Sequence, residues 1–231
     1  MPSIAVVIPT LNEALALETA LQAIGAQLRA GDELWVVDAG SRDATVTIAA
    51  RHARLIEGAP PRGRQLNDGA RRAATDALLF LHADCVLPPG GLDEVRAALA
   101  DPGVAGGCFR IRFSPGEIAR APLLRAVASG INFRTRALRQ GTGDQGVFAR
   151  ATAFHAGGGV PDWPLMEDLE LCRRLKRFGR FRVLGPPLQT SARRWLRRGV
   201  VRTQLTMWGF RLAHAFGVSP AALGRRYAAI R

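Results

Sequence analysis

Residues Ile4 to Gly40 read IAVVIPTLNEALALETALQAIGAQLRAGDELWVVDAG, and their pattern decides the fold. The apolar run IAVVI, stopped at Pro9, is what a short strand buried on both faces requires. Leu17, Leu21, Ile24 and Leu28 then recur at helical spacing and give one apolar stripe. A second apolar run, LWVV, ends at Asp38. Strand, helix and strand in this order form a βαβ unit with parallel strands.

The alternation continues with a short helix after Ser41, a strand in ARLIEG, a helix through GRQLNDGARRAA and a strand in ALLFL. These elements predict an α/β domain with a doubly wound, Rossmann-like sheet and helices on both faces. Ligands bind such sheets at the carboxyl ends of the strands. After PPGGLDEVRAALAD the pattern changes. GVAGGCFRIRF and GDQGVFAR read as strands separated by one helical stretch, Ile118 to Leu138, so antiparallel strands are expected to make the sheet mixed. A helix from Glu167 to Phe178 follows, with Leu171, Cys172, Leu175 and Phe178 as its buried stripe and Gly179 as its stop. From Ser191 the chain is helical and basic. The simplest division is one domain over 1–190, with a nucleotide-binding half over about 1–100 and an acceptor half over about 101–190, and a C-terminal helical appendage over 191–231.

The 231 residues are 48% hydrophobic, enough for a large core, and carry a formal net charge of +13. That charge favours phosphates, nucleotides, nucleic acid or an anionic membrane. Lys176 is the sole lysine, so arginine usage explains part of the balance. Cys85, Cys108 and Cys172 show neither disulfide nor zinc spacing, which suits a reducing cytosol. The N-terminus lacks the basic start of a signal peptide, and the longest apolar stretch, Leu205 to Val218, is interrupted by Arg211 and His214.

The strand ends carry the chemistry: PTLNE after the first, VDAGSRD after the second and HAD after the fourth. Packing does not require acids there, so Asp38, Asp43 and Asp84 invite a functional reading. Asp43 could instead cap the next helix, and Asp38 could close an Asx turn. A strand ending in VVDAG could hold the ribose of NAD or S-adenosylmethionine, but both need a glycine-rich turn after the first strand, and PTLNE has no glycine.

VVIPTLNEA, VVDAGSRDAT, LHAD and MEDLELCRRL, in this order, resemble family 2 glycosyltransferases of the GT-A fold. RGRQLNDGA, LHADC, GTGDQGVF, LMEDLELCRRL and TSARRW further resemble the bacterial subgroup named rSAM/selenodomain-associated transferase 2. The resemblance runs from Ile4 to about Trp195. It implies inverting transfer from a nucleotide-diphosphate sugar, a UDP-sugar first, to a hydroxyl acceptor.

Such a transfer leaves a diphosphate whose growing charge a divalent cation stabilises. The resemblance therefore assigns Asp84 to Mg²⁺ or Mn²⁺. His82 stands where the family often has a first aspartate, leaving one sure acidic ligand; its ring either touches ribose or phosphate or joins the strand-end hydrogen bonds. Pro9, Thr10, Asn12, Glu13, Asp38, Gly40, Ser41 and Arg64 would hold the nucleotide, with Asp38 facing the uracil imide. Asp168 would be the base. Glu167 and Asp168 are adjacent on a helix and so point about 100° apart, allowing only one to face a given cleft. Gly143, Asp144 and Gln145, with Glu167, would meet sugar or acceptor. Arg193 and Arg194 would clamp the diphosphate, with Trp195 stacking nearby.

The arginines from Arg193 to Arg211 interleave with Trp195, Leu196, Val200, Val201, Trp208 and Phe210. Such a segment rests on the inner face of an anionic membrane, which would bring the chain to a lipid-linked acceptor, on its own domain or on a second subunit as a homodimer. Two rival functions fit less well. A nucleotidyltransferase should carry a glycine-rich basic loop after the first strand. A nucleic-acid-binding module should show a helix-turn-helix, zinc or aromatic RNA-binding signature.

Overall fold

The computed structural model describes residues 1–229. Its first half alternates as expected: β1 (Ile4–Thr10), α1 (Ala14–Gly25), β2 (Glu33–Asp38), α2 (Thr45–His52), β3 (Arg54–Glu57), α3 (Arg62–Arg72), β4 (Ala77–Phe80) and α4 (Gly91–Ala100). Then come β5 (Val104–Arg112), α5 (Pro115–Arg120), α6 (Leu124–Leu138), a single 3₁₀ turn at Gly143–Gln145, β6 (Val147–Arg150), α7 (Ala151–Ala156), α8 (Glu167–Leu175) and β7 (Arg180–Gln189). Three helices close the chain: α9 (Arg193–Arg198), α10 (Val200–Ala215) and α11 (Pro220–Ala229).

The seven strands form one sheet in the order β3-β2-β1-β4-β6-β5-β7. Parallel pairing joins β3, β2, β1 and β4, and joins β5 to β7; β6 is antiparallel to both its neighbours. The sheet is mixed as expected, but through one reversed strand rather than two. The chain between β5 and β6 stays at the carboxyl edge, where Gln145 Nε2 donates to Phe109 O, so it enters β6 from that edge and must run backwards.

β1 shows why its run is unbroken. Every residue is buried, and successive side chains serve opposite faces. Ile4, Val6 and Ile8 join Leu17, Leu21 and Ile24 of α1 and Leu92 and Val95 of α4. Ala5 and Val7 join Leu66 and Ala70 of α3, Phe154 of α7 and Leu171, Cys172 and Leu175 of α8. Two cores, one on each face, thus meet through a single strand.

Some expectations are corrected. The helix expected over Ile118 to Leu138 is two, because Pro122 interrupts it. α8 ends at Leu175, and Phe178, in the turn beyond, is 47% exposed instead of buried. β7 was not anticipated. It contains Pro186 and Pro187, which a sheet accommodates at its edge, and its pairing with β5 shifts register where they occur. The small helix α7 also escaped the pattern.

Trp195 anchors α9 by packing with Ile111, Phe113, Leu124, Val127 and Ile131. Leu223 of α11 buries against Met166 and Leu169, with Phe210, Ala213 and Val218 alongside. The C-terminal helices thereby lie over the carboxyl edge of the sheet. Among the described residues no helix is long and apolar enough to cross a membrane.

Candidate active site

A cleft of about 510 Å³ opens at the carboxyl edge. Its wall includes Pro9, Thr10 and Glu13 after β1, His82 and Asp84 after β4, Gly143 and Asp144 in the 3₁₀ turn, Glu167 and Asp168 at the start of α8, and Arg193, Arg194 and Trp195 of α9. This volume lies in the range of small-molecule sites.

The β1 and β2 ends are braced from behind. Asp38 Oδ1 accepts from Thr10 Oγ1 at 2.9 Å and Ser41 Oγ at 2.5 Å, and Oδ2 accepts from Gly40 N at 2.9 Å and Ser41 N at 2.7 Å. With four donors, this buried carboxylate shapes the loop and is not on the cleft wall. Asn12 holds a left-handed φ of 56°, which asparagine tolerates; its N–H donates to Ser41 Oγ at 2.8 Å and its Oδ1 accepts from Arg42 N at 2.8 Å. Asn12, Gly40 and Ser41 are therefore frame, and Pro9, Thr10, Leu11, Glu13 and Ala39 form the surface. Asp43 accepts from Ala14 N at 3.2 Å and Thr45 Oγ1 at 2.5 Å, tying the start of α1 to that of α2.

Arg64 is displaced from its expected place. It points toward Asp162, 3.9 Å away, while Arg62 and Gln65, three positions apart on α3, face the cleft. Arg62 was not singled out from sequence because the cleft-facing side of α3 is set by Gln65, whose Nε2 donates to Thr10 O at 3.0 Å and Val37 O at 2.7 Å.

Asp84 is partly buried, with Arg193 Nη2 4.0 Å from its Oδ2; the same Nη2 lies 3.1 Å from Glu13 Oε2. Burial pushes the Asp84 carboxyl above its ordinary range, and nearby Glu13 and Asp144 add to the rise against the opposing Arg193 charge. Among the described residues no three His, Cys, Asp or Glu side chains converge as a metal cage. The donor set therefore fits a cation that takes one protein carboxylate and most of its oxygens from elsewhere, as Mg²⁺ commonly does. Beside it, burial and the charges of Arg62 and Arg194 drive His82 well below its ordinary pKa, so its imidazole is neutral. Gly143 lies against that ring, and a Cβ there would collide with His82 Nε2.

Glu167 and Asp168 both line the cleft, contrary to the expectation that only one could. Pro164 through Leu169 form a continuous part of the wall, so α8 presents its N-terminal end, not its side. Met166, with a left-handed φ of 69°, makes the turn that aims that end, at a cost of about 1–2 kcal/mol for a non-glycine residue. Asp168 Oδ2 accepts from Gly143 N and Oδ1 from Leu169 N, each at 2.8 Å. Burial nevertheless raises its pKa, outweighing those two donors. Glu167 is raised by burial and by Asp168, with Arg62 Nη1 opposing from 3.3 Å.

Gln145 is turned away from the cleft. Its Oε1 accepts from Thr142 N at 3.0 Å and its Nε2 donates to Phe109 O at 3.2 Å, so it holds the 3₁₀ turn rather than offering itself to a sugar. Trp195 reaches the wall, but its ring stacks edge-on to Phe113 with centroids 5.2 Å apart and fixes α9. Arg194 lies over the Tyr227 ring, 5.6 Å from its centroid.

Arg211 and Phe210 correct the reading of the tail. Both line the cleft, with Met207, Trp208 and Tyr227, so one side of α10 belongs to the site rather than to a membrane or partner. Arg134 of α6 joins them. Sequence offered no signal for Arg134, one of many arginines, and for Arg211 only a helical face whose direction was open.

Residues 5–157 match the glycosyl transferase family 2 domain. The chain belongs to glycosyl transferase family 2. An uncharacterized glycosyltransferase of Mycobacterium tuberculosis is 35% identical to this family 2 member over 99 residues, 42% of this chain and 44% of the relative. The match thus spans less than half the length of the curated relatives. Solved structures share the GT-A fold. The mannosyltransferase PcManGT from Pyrobaculum calidifontis, in complex with GDP-Man and Mn²⁺, superposes with a TM-score of 0.58 at 23% identity, covering 80% of this chain and 55% of that one. Glucosyl-3-phosphoglycerate synthase from Mycobacterium tuberculosis, in complex with Mn²⁺, UDP and glucosyl-3-phosphoglycerate, gives 0.56 at 22% identity over 89% and 79% of the two chains.

Proposed function

We propose that this family 2 member is a metal-dependent inverting glycosyltransferase that uses a nucleoside-diphosphate sugar, with uridine as its nucleoside. The carrying observation is that one cleft unites Asp84, raised and facing Arg193, with Asp168 at the helix end opposite. Similarly folded enzymes have been solved with UDP or GDP-Man and Mn²⁺, which supports the donor class.

In this reading the nucleoside rests on Pro9, Thr10 and Ala39, on the loop that Asp38 shapes. Asp84 would hold Mg²⁺ or Mn²⁺ together with diphosphate oxygens, and the bound cation would offset charge on the leaving group. Arg193 and Arg194 contribute two further positive charges to that diphosphate. Asp168, ionised and held by Gly143 N, accepts the acceptor hydroxyl proton as the new C1–O bond forms and the bond to phosphate breaks. Thermal melts with UDP, GDP, ADP and CDP, each with Mn²⁺, test the donor class. UDP should raise Tm most; failure of every nucleoside diphosphate to raise it contradicts the proposal.

The acceptor is proposed to be carried by an anionic membrane surface. Val201, Leu205 and Leu212 on α10, with Phe216 at its C-cap, fall four or seven residues apart, away from the cleft-lining positions, and are 58 to 81% exposed. Residues 191–231 contain nine arginines and no acidic side chain. That combination complements anionic lipid, whereas a second copy would bring like charge against like charge. In sedimentation at low salt, the protein should pellet with phosphatidylglycerol vesicles and remain in the supernatant with phosphatidylcholine. Remaining in the supernatant with both excludes this surface.

A further inference from the structure

The positive charges on the cleft wall fall into two groups. Arg193 stands beside Glu13 and Asp84, and Arg62 beside Glu167, each within ion-pair range of a carboxylate. Arg134 and Arg211 form no ion pair among the described residues. Arg134 Nη2 reaches only Gln145 Oε1 at 3.5 Å, and its buried Nε has no hydrogen-bond partner; Arg211 Nη2 reaches only Gln140 Oε1 at 3.4 Å. The two come from different helices, α6 and α10, and converge on the same cleft.

Two cations withdrawn from water with amide oxygens as their main partners are costly to fold. Burial lowers the pKa of both; Arg211 falls to about 10, with the neighbouring Arg134 charge contributing. Asp168 and Asp144 act on both from a distance in the opposite sense. The pair therefore stands within electrostatic reach of Asp168 on the same cleft wall. An anion placed between the two guanidinium groups would satisfy the orphan Nε–H and cancel their mutual repulsion. Planar guanidinium forks suit the oxygens of a phosphate.

We infer that Arg134 and Arg211 form an acceptor subsite for a phosphomonoester, so that the hydroxyl offered to Asp168 belongs to a phosphorylated molecule. This inference rests on the proposed roles of Asp84 and Asp168 for its place in the reaction, but the anion site itself does not need them. On the membrane reading the phosphate belongs to a lipid headgroup; a small soluble metabolite would offer the two guanidinium groups the same chemistry, and its preference in the test would contradict the membrane reading while leaving the subsite standing.

Calorimetric titration tests this with glycerol 3-phosphate as the soluble probe, monomeric lysophosphatidic acid as the lipid probe and glycerol as the neutral control. Each is added to full-length protein with and without saturating UDP and Mn²⁺. At least one phosphorylated probe should bind, glycerol should not, and Arg134→Gln or Arg211→Gln should weaken binding by about tenfold or more, the scale of one charged contact. Arg211→Lys, which keeps the charge, should recover part of the loss. Preference for glycerol 3-phosphate marks a soluble acceptor, and preference for lysophosphatidic acid a lipid one. Binding of neither phosphorylated probe, or binding unaffected by both glutamine variants, overturns the subsite. The UDP titration of the same samples reads the donor site separately. Loss of UDP binding with phosphate binding intact contradicts the donor proposal and leaves the subsite standing.

Discussion

Asp168→Asn should lower kcat by about 10²- to 10⁴-fold, the range lost when a general base is removed, while UDP binding is unchanged. The asparagine oxygen can still accept one of the two backbone N–H groups from Gly143 and Leu169, so the fold should persist with a small loss of stability. The pH profile separates a base from a structural carboxylate. Burial raises the Asp168 pKa, so the acidic limb of kcat should lie above the ordinary carboxylate range, with activity falling as pH drops through that raised value. The residual activity of the variant should lack that limb. An unchanged kcat would remove Asp168 from the chemistry.

Asp84→Asn should cut kcat by about 10²-fold or more, comparable to losing one preorganised electrostatic contact to a developing charge. It should also stabilise the free protein. A carboxyl whose pKa is raised by folding binds its proton more tightly in the folded state. Its favourable contribution is complete below the unfolded value and is lost as pH rises through the folded one. At pH 8 the ionised Asp84 therefore costs stability that asparagine does not, and Tm should rise by about 2–4 °C for each kcal/mol relieved. Near pH 3 the two proteins should melt together. A variant that is less active and less stable at both pH values would indicate a structural role.

The scaffold was legible because its signals were local. IAVVI, LWVV and ALLF can satisfy the hydrophobic effect only between two helical layers, and Leu17, Leu21 and Ile24 supply one of them. The PTLNE, HAD and MED turns sit at the strand or helix ends where a cleft forms. Legibility failed where tertiary contacts choose the direction of a side chain. Arg62 and Arg64 are equivalent in sequence, and only the contacts of Gln65 with Thr10 and Val37 decide which faces the cleft. Gln145 looked like a sugar ligand until Phe109 and Thr142 claimed its amide. Asp38 looked like a base reader, and four local donors occupy it. Arg211 belonged to a basic stripe, but packing of Phe210 and Leu223 near Met166 and Leu169 rotates it inward. β7 was hidden by its prolines, because edge tolerance is a property of the sheet and not of the segment.

In the proposed mechanism Asp84 couples a divalent cation to the diphosphate of the donor. Titration of UDP into the wild-type protein and Asp84→Asn, each in Mn²⁺ and in EDTA, measures that coupling directly. Mn²⁺ should tighten UDP binding to the wild type by at least about tenfold, or 1.4 kcal/mol, and the difference should vanish in Asp84→Asn. Equal UDP affinity with and without Mn²⁺ in the wild type, or the same Mn²⁺ dependence in the variant, would contradict it.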